Sequence, residues 1–300
     1  MKIIDKIDKM KTHARIIKKG NKLLGFVPTM GYLHEGHLSL IRAARKQSDV
    51  VTVSIFVNPI QFGQNEDYKK YPRDMQRDEE LLKNYGVDIL FYPEKKDMYP
   101  ADFSTYVNVE KLTDGLCGKS RVGHFRGVTT VLVKLFEIIK PDIAYFGQKD
   151  AQQAFVIKKM IKDLNMDITM KILPTVREAD GLAMSSRNTY LTGTLRKDAG
   201  LLNRSLILAA DLVRSGEKDA KKIIKSIKDF LLASPNIKID YIAITDTKEL
   251  RDIAVVRGET LVAVSAFVGK TRLIDNVIIN EKKAQENWKY DGLLSGRQAV

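Results

Sequence analysis

Two histidines three residues apart, His34 and His37, lie in a run that also holds two glycines: Pro28-Thr29-Met30-Gly31-Tyr32-Leu33-His34-Glu35-Gly36-His37. Imidazoles can donate hydrogen bonds to phosphate oxygens, and glycines let a backbone turn sharply and approach a ligand closely. Before the run comes Leu23-Leu24-Gly25-Phe26-Val27, which reads as a buried strand. After it comes Leu38-Ser39-Leu40-Ile41-Arg42-Ala43-Ala44-Arg45, whose apolar residues recur three and four apart, as on a helix. A strand that turns over glycines into a helix N-terminus aims N–H groups and a positive dipole end at one point, which suits phosphate. Each histidine could instead cap the helix or pack locally. The spacing excludes the zinc signature His-Glu-x-x-His, which needs its histidines four apart.

Three further clusters carry candidate chemistry. Asn58 and Gln61, in Phe56-Val57-Asn58-Pro59-Ile60-Gln61-Phe62-Gly63, offer neutral amides that read hydroxyls and carboxylates without adding charge, although an Asn-Pro turn with an idle Gln has the same sequence. Gly147-Gln148-Lys149-Asp150-Ala151-Gln152-Gln153 is a second phosphate candidate. Gly147 permits close approach, Lys149 supplies a point charge, and Asp150 could cap a helix or hold a ribose hydroxyl, with Gln153 one turn further along. The third is Thr175-Val176-Arg177-Glu178-Ala179-Asp180-Gly181-Leu182-Ala183-Met184-Ser185-Ser186-Arg187-Asn188. Two serine hydroxyls and a bidentate Arg187 on a loop could close over a triphosphate; a plain turn is the alternative.

The elements that must position these groups can be read from hydrophobic patterning. Lys6 to Lys19 reads as a helix stopped by Gly20-Asn21. Asp49 to Val57 is a nearly continuous β-branched run typical of a strand buried on both faces. Asp78 to Tyr85 reads as helix, Val87 to Tyr92 and Phe103 to Val109 as strands, Thr113 to Gly127 as a loop, and Gly127 or Val128 to Ile139 as helix. Asp142 to Phe146 is a strand, followed by a helix through Lys162 and a strand from Asp167 to Leu173. Strands alternating with helices predict βαβ units and a mostly parallel sheet, whose ligands gather at the carboxyl ends of the strands. Four of the motifs above fall at such ends, which puts them on one rim. Beyond about residue 190 the texture changes to two amphipathic helices, Leu195 to Ser215 and Asp219 to Ala233. Three strands follow, Ile237 to Ile244, Thr260 to Val268 and Arg272 to Ile279, so a separate α+β domain is expected. The polar tail after about residue 283, with Trp288 and Tyr290 its aromatics, is expected to be loosely ordered.

With 300 residues and 44% hydrophobic content the chain can bury a sizeable core. A single cysteine, Cys117, excludes a disulfide framework and a cysteine metal site, and fits a reducing, cytoplasmic setting. No apolar run is long enough to span a bilayer, and the N-terminus lacks a signal-peptide core. The net charge of +13 admits nucleic acid, a membrane surface or small anions as partners. Its lysines, however, alternate with acids and apolar residues, as in Glu217 to Asp229, which reads as a solvated helix face. Aromatics interleaved with clustered Lys and Arg, which would mark a nucleic-acid module, are not seen. Neither nucleic acid nor membrane is an expected partner. A Ser-His-Asp relay, a cysteine nucleophile and a close carboxylate pair are likewise missing. The inventory suits a reaction whose difficulty is charge on phosphorus, where positioning and electrostatics carry the rate.

Met30-Gly31-Tyr32-Leu33-His34-Glu35-Gly36-His37 resembles the ATP-binding signature of the pantothenate synthetase (pantoate–β-alanine ligase) family. Its His-x-Gly-His end is shared with the wider adenylyl-transferring Rossmann-like superfamily. Phe56 to Phe62 is similar to the family's Phe-Val-Asn-Pro-x-Gln-Phe. Gly147 to Gln153 is similar to Gly-Glu-Lys-Asp-x-Gln-Gln, with Gln148 in place of the usual Glu, and Thr175 to Asn188 resembles the family loop that is analogous to the mobile Lys-Met-Ser-Lys-Ser loop of class I tRNA synthetases. His124-Phe125-Arg126-Gly127-Val128 also resembles a family segment bordering the pantoate pocket, where Arg126 could hold a carboxylate. Together the matches run from Gly25 to Leu191.

The resemblance implies an α/β fold, with a Rossmann-like parallel sheet flanked by helices on both faces over residues 1–175 and a smaller C-terminal α+β domain, 176–300, acting as a lid. It implies a ligase that joins (R)-pantoate to β-alanine at the expense of ATP through a pantoyl adenylate. Met30, Gly31, Tyr32, Leu33, His34, Glu35, Gly36, His37, Gly147, Gln148, Lys149, Asp150, Val176, Met184, Ser185, Ser186 and Arg187 would contact ATP. Of these His34, His37, Lys149 and Arg187 would be catalytic. Gln61 and Gln153 would hold pantoate, and Gln61 β-alanine as well. Magnesium is expected with ATP, with no metal ligands assigned to side chains, and a cytoplasmic homodimer is implied. A cytidylyltransferase-type enzyme shares the first signature but would not need the two glutamine amides.

Overall fold

The computed structural model describes residues 1–64 and 66–280. The tail after residue 283, with Trp288 and Tyr290, lies outside the described residues. In chain order the elements are β1 (Lys2–Ile4), α1 (Ile7–Lys19), β2 (Leu24–Thr29), α2 (Glu35–Gln47), β3 (Val50–Ile55), α3 (Met75–Asn84), β4 (Ile89–Phe91) and α4 (Lys95–Met98). Next come α5 (Leu116–Ser120), α6 (His124–Ile139), β5 (Ile143–Gly147), α7 (Ala151–Asp163) and β6 (Thr169–Leu173). The last elements are α8 (Gly193–Ala199), α9 (Leu201–Arg214), α10 (Ala220–Leu231), β7 (Ile237–Asp246), β8 (Glu259–Val268) and β9 (Thr271–Asn280). Two compact units result. The first takes Met1–Glu110, Arg121–Gly147 and Val156–Leu173; the second takes Lys111–Ser120, Gln148–Phe155 and the chain from Pro174 on.

The first unit is built on a six-stranded sheet in the order β1-β4-β3-β2-β5-β6, every pair parallel. Alternate residues of β2 serve opposite faces, as the period of a strand requires. Val27 joins Val51, Val53, Leu38, Ile41 and Leu82 in a core formed with α2 and α3, while Phe26 meets Phe136 of α6 edge-on, centroids 6.2 Å apart. Helices therefore cover both faces. The strand order reverses at β2, with β3 on one side and β5 on the other, so the carboxyl end of β2 is the switch point where such sheets bind ligands.

The second unit holds an antiparallel sheet, β7-β8-β9. Leu202 and Leu206 of α9 and Ile223 and Ile227 of α10 bury against Val262, Val264 and Val277. Lys221, Lys222, Lys225 and Lys228 of α10 are exposed, so this part of the basic surplus is a solvated face. Among the described residues no helix is long and apolar enough to cross a membrane.

The sequence expectations fail locally in four places. Phe103 to Val109 is not a strand: Val107 N–H donates to Thr130 Oγ1 and its carbonyl accepts from Thr129 Oγ1, so α6 side chains take the groups a ladder would use. The edge beside β4 belongs instead to the three-residue β1. The expected loop from Thr113 to Gly127 contains α5 and the first turn of α6. The single helix expected from Leu195 to Ser215 is interrupted at Gly200. Finally, α3 begins at Met75, where Asp74 caps the Arg77 N–H, which places Asp78 inside the first turn rather than at the start.

Candidate functional site

The signature turn is set by backbone geometry at the end of β2. Gly31 has φ +82° and Tyr32 φ +48°. A Cβ at Gly31 would lie 2.9 Å from Ile55 Cγ2 and 3.1 Å from Asp78 Oδ2, so both conformation and space demand glycine. Asp78, buried to 1% exposure, then holds the turn: Tyr32 N–H donates to Oδ2 at 2.6 Å and Leu33 N–H to Oδ1 at 2.7 Å. Burial pushes the Asp78 carboxyl up from the usual carboxylate range, against the two N–H groups and the nearby Arg77 that favour its charge. Met30, Gly31 and Tyr32 also wall a cavity of about 710 Å³ with Phe56, Val57 and Tyr99, a size that takes small organic ligands.

His34 and His37 do cap α2, and in doing so they fix their own protons. His34 is the N-cap residue, and its Nδ1 accepts from Gly36 N–H at 3.2 Å. His37 Nδ1 accepts from His34 N–H at 3.3 Å, closing a reciprocal capping box between two imidazoles whose rings lie 4.0 Å apart. A neutral imidazole that accepts at Nδ1 carries its proton on Nε2. Both rings therefore present Nε2–H as a donor, and the capping and phosphate-binding readings of these residues are compatible. Glu35 pairs with Arg42 on the exposed side of the helix.

Gln61 stands beside this turn. Its Nε2 donates to Met30 Sδ at 3.1 Å, and Asn58 Nδ2 donates to its Oε1 at 3.0 Å. Asn58, 1% exposed, also donates to Gly127 O and accepts from Tyr99 OH, so the amide pair is locked. Gly127 lets α6 press on this segment: a Cβ there would lie 2.4 Å from Ile60 O and 2.6 Å from Gln61 Cα. Arg126, by contrast, is exposed and stacks over the Tyr106 ring at 3.8 Å.

The second unit assembles the remaining residues. Gln148–Asp150 forms a single 3-10 turn opening α7, with Lys149 Nζ 3.9 Å from Asp150 Oδ2. A Cβ at Gly147, just before it, would meet nothing within 4 Å, so packing inside the chain does not demand glycine there. Gln153, partly buried, stands in the first turn of α7, just after that 3-10 turn. Its neighbour Gln152 is structural: the amide accepts from Cys117 N–H and donates to Leu112 O and Gly115 O.

The segment from Val176 to Asn188 is a short hairpin and a 3-10 turn. Met184 N–H donates to Val176 O, Glu178 N–H to Leu182 O, and the chain reverses at Gly181. Ser185 Oγ caps the 3-10 turn Ser186–Tyr190 by accepting from Arg187 N–H. Arg196 straps the hairpin through Glu178 at 2.6 Å and Asp180 at 2.5 Å; these hydrogen bonds raise the guanidinium pKa and hold the Asp180 carboxyl below the usual range. Both the Gln148–Asp150 turn and the Ser186–Tyr190 turn pack against β9. The structure thus gathers Met30 to His37 with Gln61 in one unit, and Lys149, Asp150, Ser185, Ser186 and Arg187 around one strand in the other.

The sequence alone missed Asp78, Arg177, Asp275 and Asn276. The signal for the last two was a polar pair in the middle of an otherwise apolar run, Leu273 to Ile279. A family model described as pantoate-beta-alanine ligase matches residues 2–278. A protein named pantothenate synthetase from Caldicellulosiruptor saccharolyticus is 56% identical over 93% of this chain and 99% of its own length. The crystal structure of pantothenate synthetase from Thermus thermophilus superposes with a TM-score of 0.87 at 41% identity, covering 92% of this chain and 99% of that one. The pantoate-beta-alanine ligase of Francisella tularensis, solved with a β,γ-ATP compound and β-alanine, gives a TM-score of 0.75 at 34% identity over 94% and 98% of the two chains. On family model, relatives and solved structures together, the chain belongs to the pantoate–β-alanine ligase family.

Proposed function

We propose that this enzyme condenses (R)-pantoate with β-alanine to pantothenate, splitting ATP to AMP and pyrophosphate. The single observation that carries the proposal is the family match over residues 2–278, which spans every chemistry-bearing segment. In the first step a pantoate carboxylate oxygen attacks the α-phosphorus and the bond to pyrophosphate breaks. In the second the amine of β-alanine attacks the acyl carbon of pantoyl adenylate, AMP leaves, and the amine gives up its proton. Neither step needs a strong base in the protein; each needs negative charge on phosphate to be held.

The Nε2–H donors of His34 and His37 are assigned to phosphate oxygens, together with Lys149, the Ser185 and Ser186 hydroxyls and the Arg187 guanidinium. Met30 to His37, Gly147 to Asp150, Val176 and Met184 are assigned to the rest of ATP. The amides of Gln61 and Gln153 are assigned to pantoate, and Gln61 also to β-alanine. Magnesium is part of the proposal. Among the described residues no three potential ligand side chains cluster; phosphate oxygens and water would supply most of the ligands of an ion that arrives with the triphosphate. When bound, it would neutralise charge on the triphosphate. The cytoplasmic homodimer implied by the family belongs to the same proposal.

Pyrophosphate release from ATP, magnesium and pantoate without β-alanine tests it. One equivalent per enzyme is expected, with AMP and pantothenate appearing only when β-alanine is added. Pyrophosphate release independent of pantoate, or a stable nucleotide-linked product, would overturn it. A second expectation concerns the pantoate segment. Gly127→Ala drives a methyl into the Ile60–Gln61 backbone, costing about 1–3 kcal/mol of stability. It should raise KM for pantoate while leaving KM for ATP little changed, measured by steady-state kinetics with each substrate varied in turn.

A further inference from the structure

β9 carries a polar pair, Asp275 and Asn276, that is buried to 2% and 4% exposure. Polar groups that deep are retained only with partners, and theirs are specific. Asn276 Nδ2 donates to Lys149 O at 2.8 Å and to Gln148 O at 3.1 Å, and Gln148 Nε2 returns a longer contact to Asn276 Oδ1 at 3.5 Å. Asp275 accepts two hydrogen bonds from Arg177, at 2.7 and 3.0 Å, in a pair whose side chains are both 2% exposed. Arg177 Nη1 passes the connection on to Gly181 O at 3.0 Å, at the turn of the hairpin that leads to Ser185 and Arg187. Asp275 Oδ1 also accepts from Asn276 N–H, which ties the two halves together. Two adjacent residues of one strand thus touch both segments that carry cations assigned to phosphate.

We propose that Asn276 is a positioning residue for Lys149: its amide, clamped on the Gln148 and Lys149 carbonyls, sets where the Lys149 ammonium stands, in register with the loop that Asp275 holds through Arg177. The inference rests on the assignment of Lys149 to phosphate. The clamp grips the peptide on either side of the Lys149 Cα, so the ammonium inherits the fix through its own backbone. Gln148 suits this arrangement. Both amide hydrogens of Asn276 are spent on carbonyls, so its Oδ1 must face a donor, which Gln supplies and a carboxylate does not.

The test is a double-mutant cycle on pyrophosphate release from ATP and pantoate, with Lys149→Ala and Asn276→Ala. Asn276→Ala in the wild-type background should lower kcat on the order of 10-fold to 100-fold, the loss that a displacement of about 1 Å brings, with KM for pantoate unchanged. In the Lys149→Ala background the same substitution should cost less than about 2-fold, because the group it positions is gone. Equal losses in the two backgrounds would overturn the positioning role while leaving that of Lys149 intact. A Lys149→Ala enzyme as fast as wild type would overturn both. If the alanine variant does not fold, Asn276→Ser, with one hydroxyl donor in place of two amide donors, goes through the same cycle and is judged by the same outcomes.

Discussion

A His37→Ala enzyme is expected to remain folded and to release pyrophosphate from ATP and pantoate about 10²-fold to 10³-fold more slowly, the usual cost of removing one preorganised donor from a developing oxyanion. The geometry predicts a second, smaller effect. His37 Nδ1 accepts from His34 N–H in the capping box of α2, and losing a cap costs about 1 kcal/mol. The two effects can be separated by chemistry. In Asn the amide oxygen sits about where Nδ1 does, so His37→Asn restores the acceptor but not the Nε2–H donor. Thermal melting should therefore show His37→Asn closer to wild type than His37→Ala, while pyrophosphate release stays low in both. A rate that recovers with the asparagine would assign the loss to the cap, and near-normal release by the alanine variant would remove His37 from the chemistry.

The same residue shows why part of this site is legible in the sequence and part is not. The β2–turn–α2 unit is local. An apolar run, two glycines and a helical period stand within about two dozen residues, so their order predicts a strand, a sharp turn and a helix N-terminus. The tautomers of His34 and His37 follow from bonds to Gly36 and His34 and are equally local. What fixes the turn in space is not. Asp78 stands in the sequence as the start of an expected helix, and its two partners lie 46 and 45 residues away. Phe103 to Val109 has the aromatic and β-branched content of a strand, yet Thr129 and Thr130, more than twenty residues on, take its hydrogen bonds. Tertiary partners override propensity there. The three-residue β1 is too short to leave a periodic pattern at all.

Asp275→Asn is the substitution expected to cost the most stability. The change keeps shape and one acceptor but strips the counter-charge from Arg177, whose side chain is 2% exposed. Breaking one partner of a buried ion pair costs about 3–5 kcal/mol. For a chain of this length that lowers the melting midpoint on the order of 10 °C. Replacing both partners with apolar residues, Arg177→Met with Asp275→Leu, removes the orphaned charge and should recover most of the midpoint, since buried pairs seldom add net stability over a well-packed apolar pair. Activity should not follow. Arg177 also donates to Gly181 O, and the bond from Asn276 N–H to Asp275 Oδ1 is the joint of the bracket on β9, so the apolar pair cuts the tie between β9 and the hairpin before Ser185, although Arg196 still straps the hairpin. Pyrophosphate release that stays low in a protein with a restored midpoint is the expected result. Recovery of rate and midpoint together would mean that the ion pair serves folding alone, and that the loop finds its place without it.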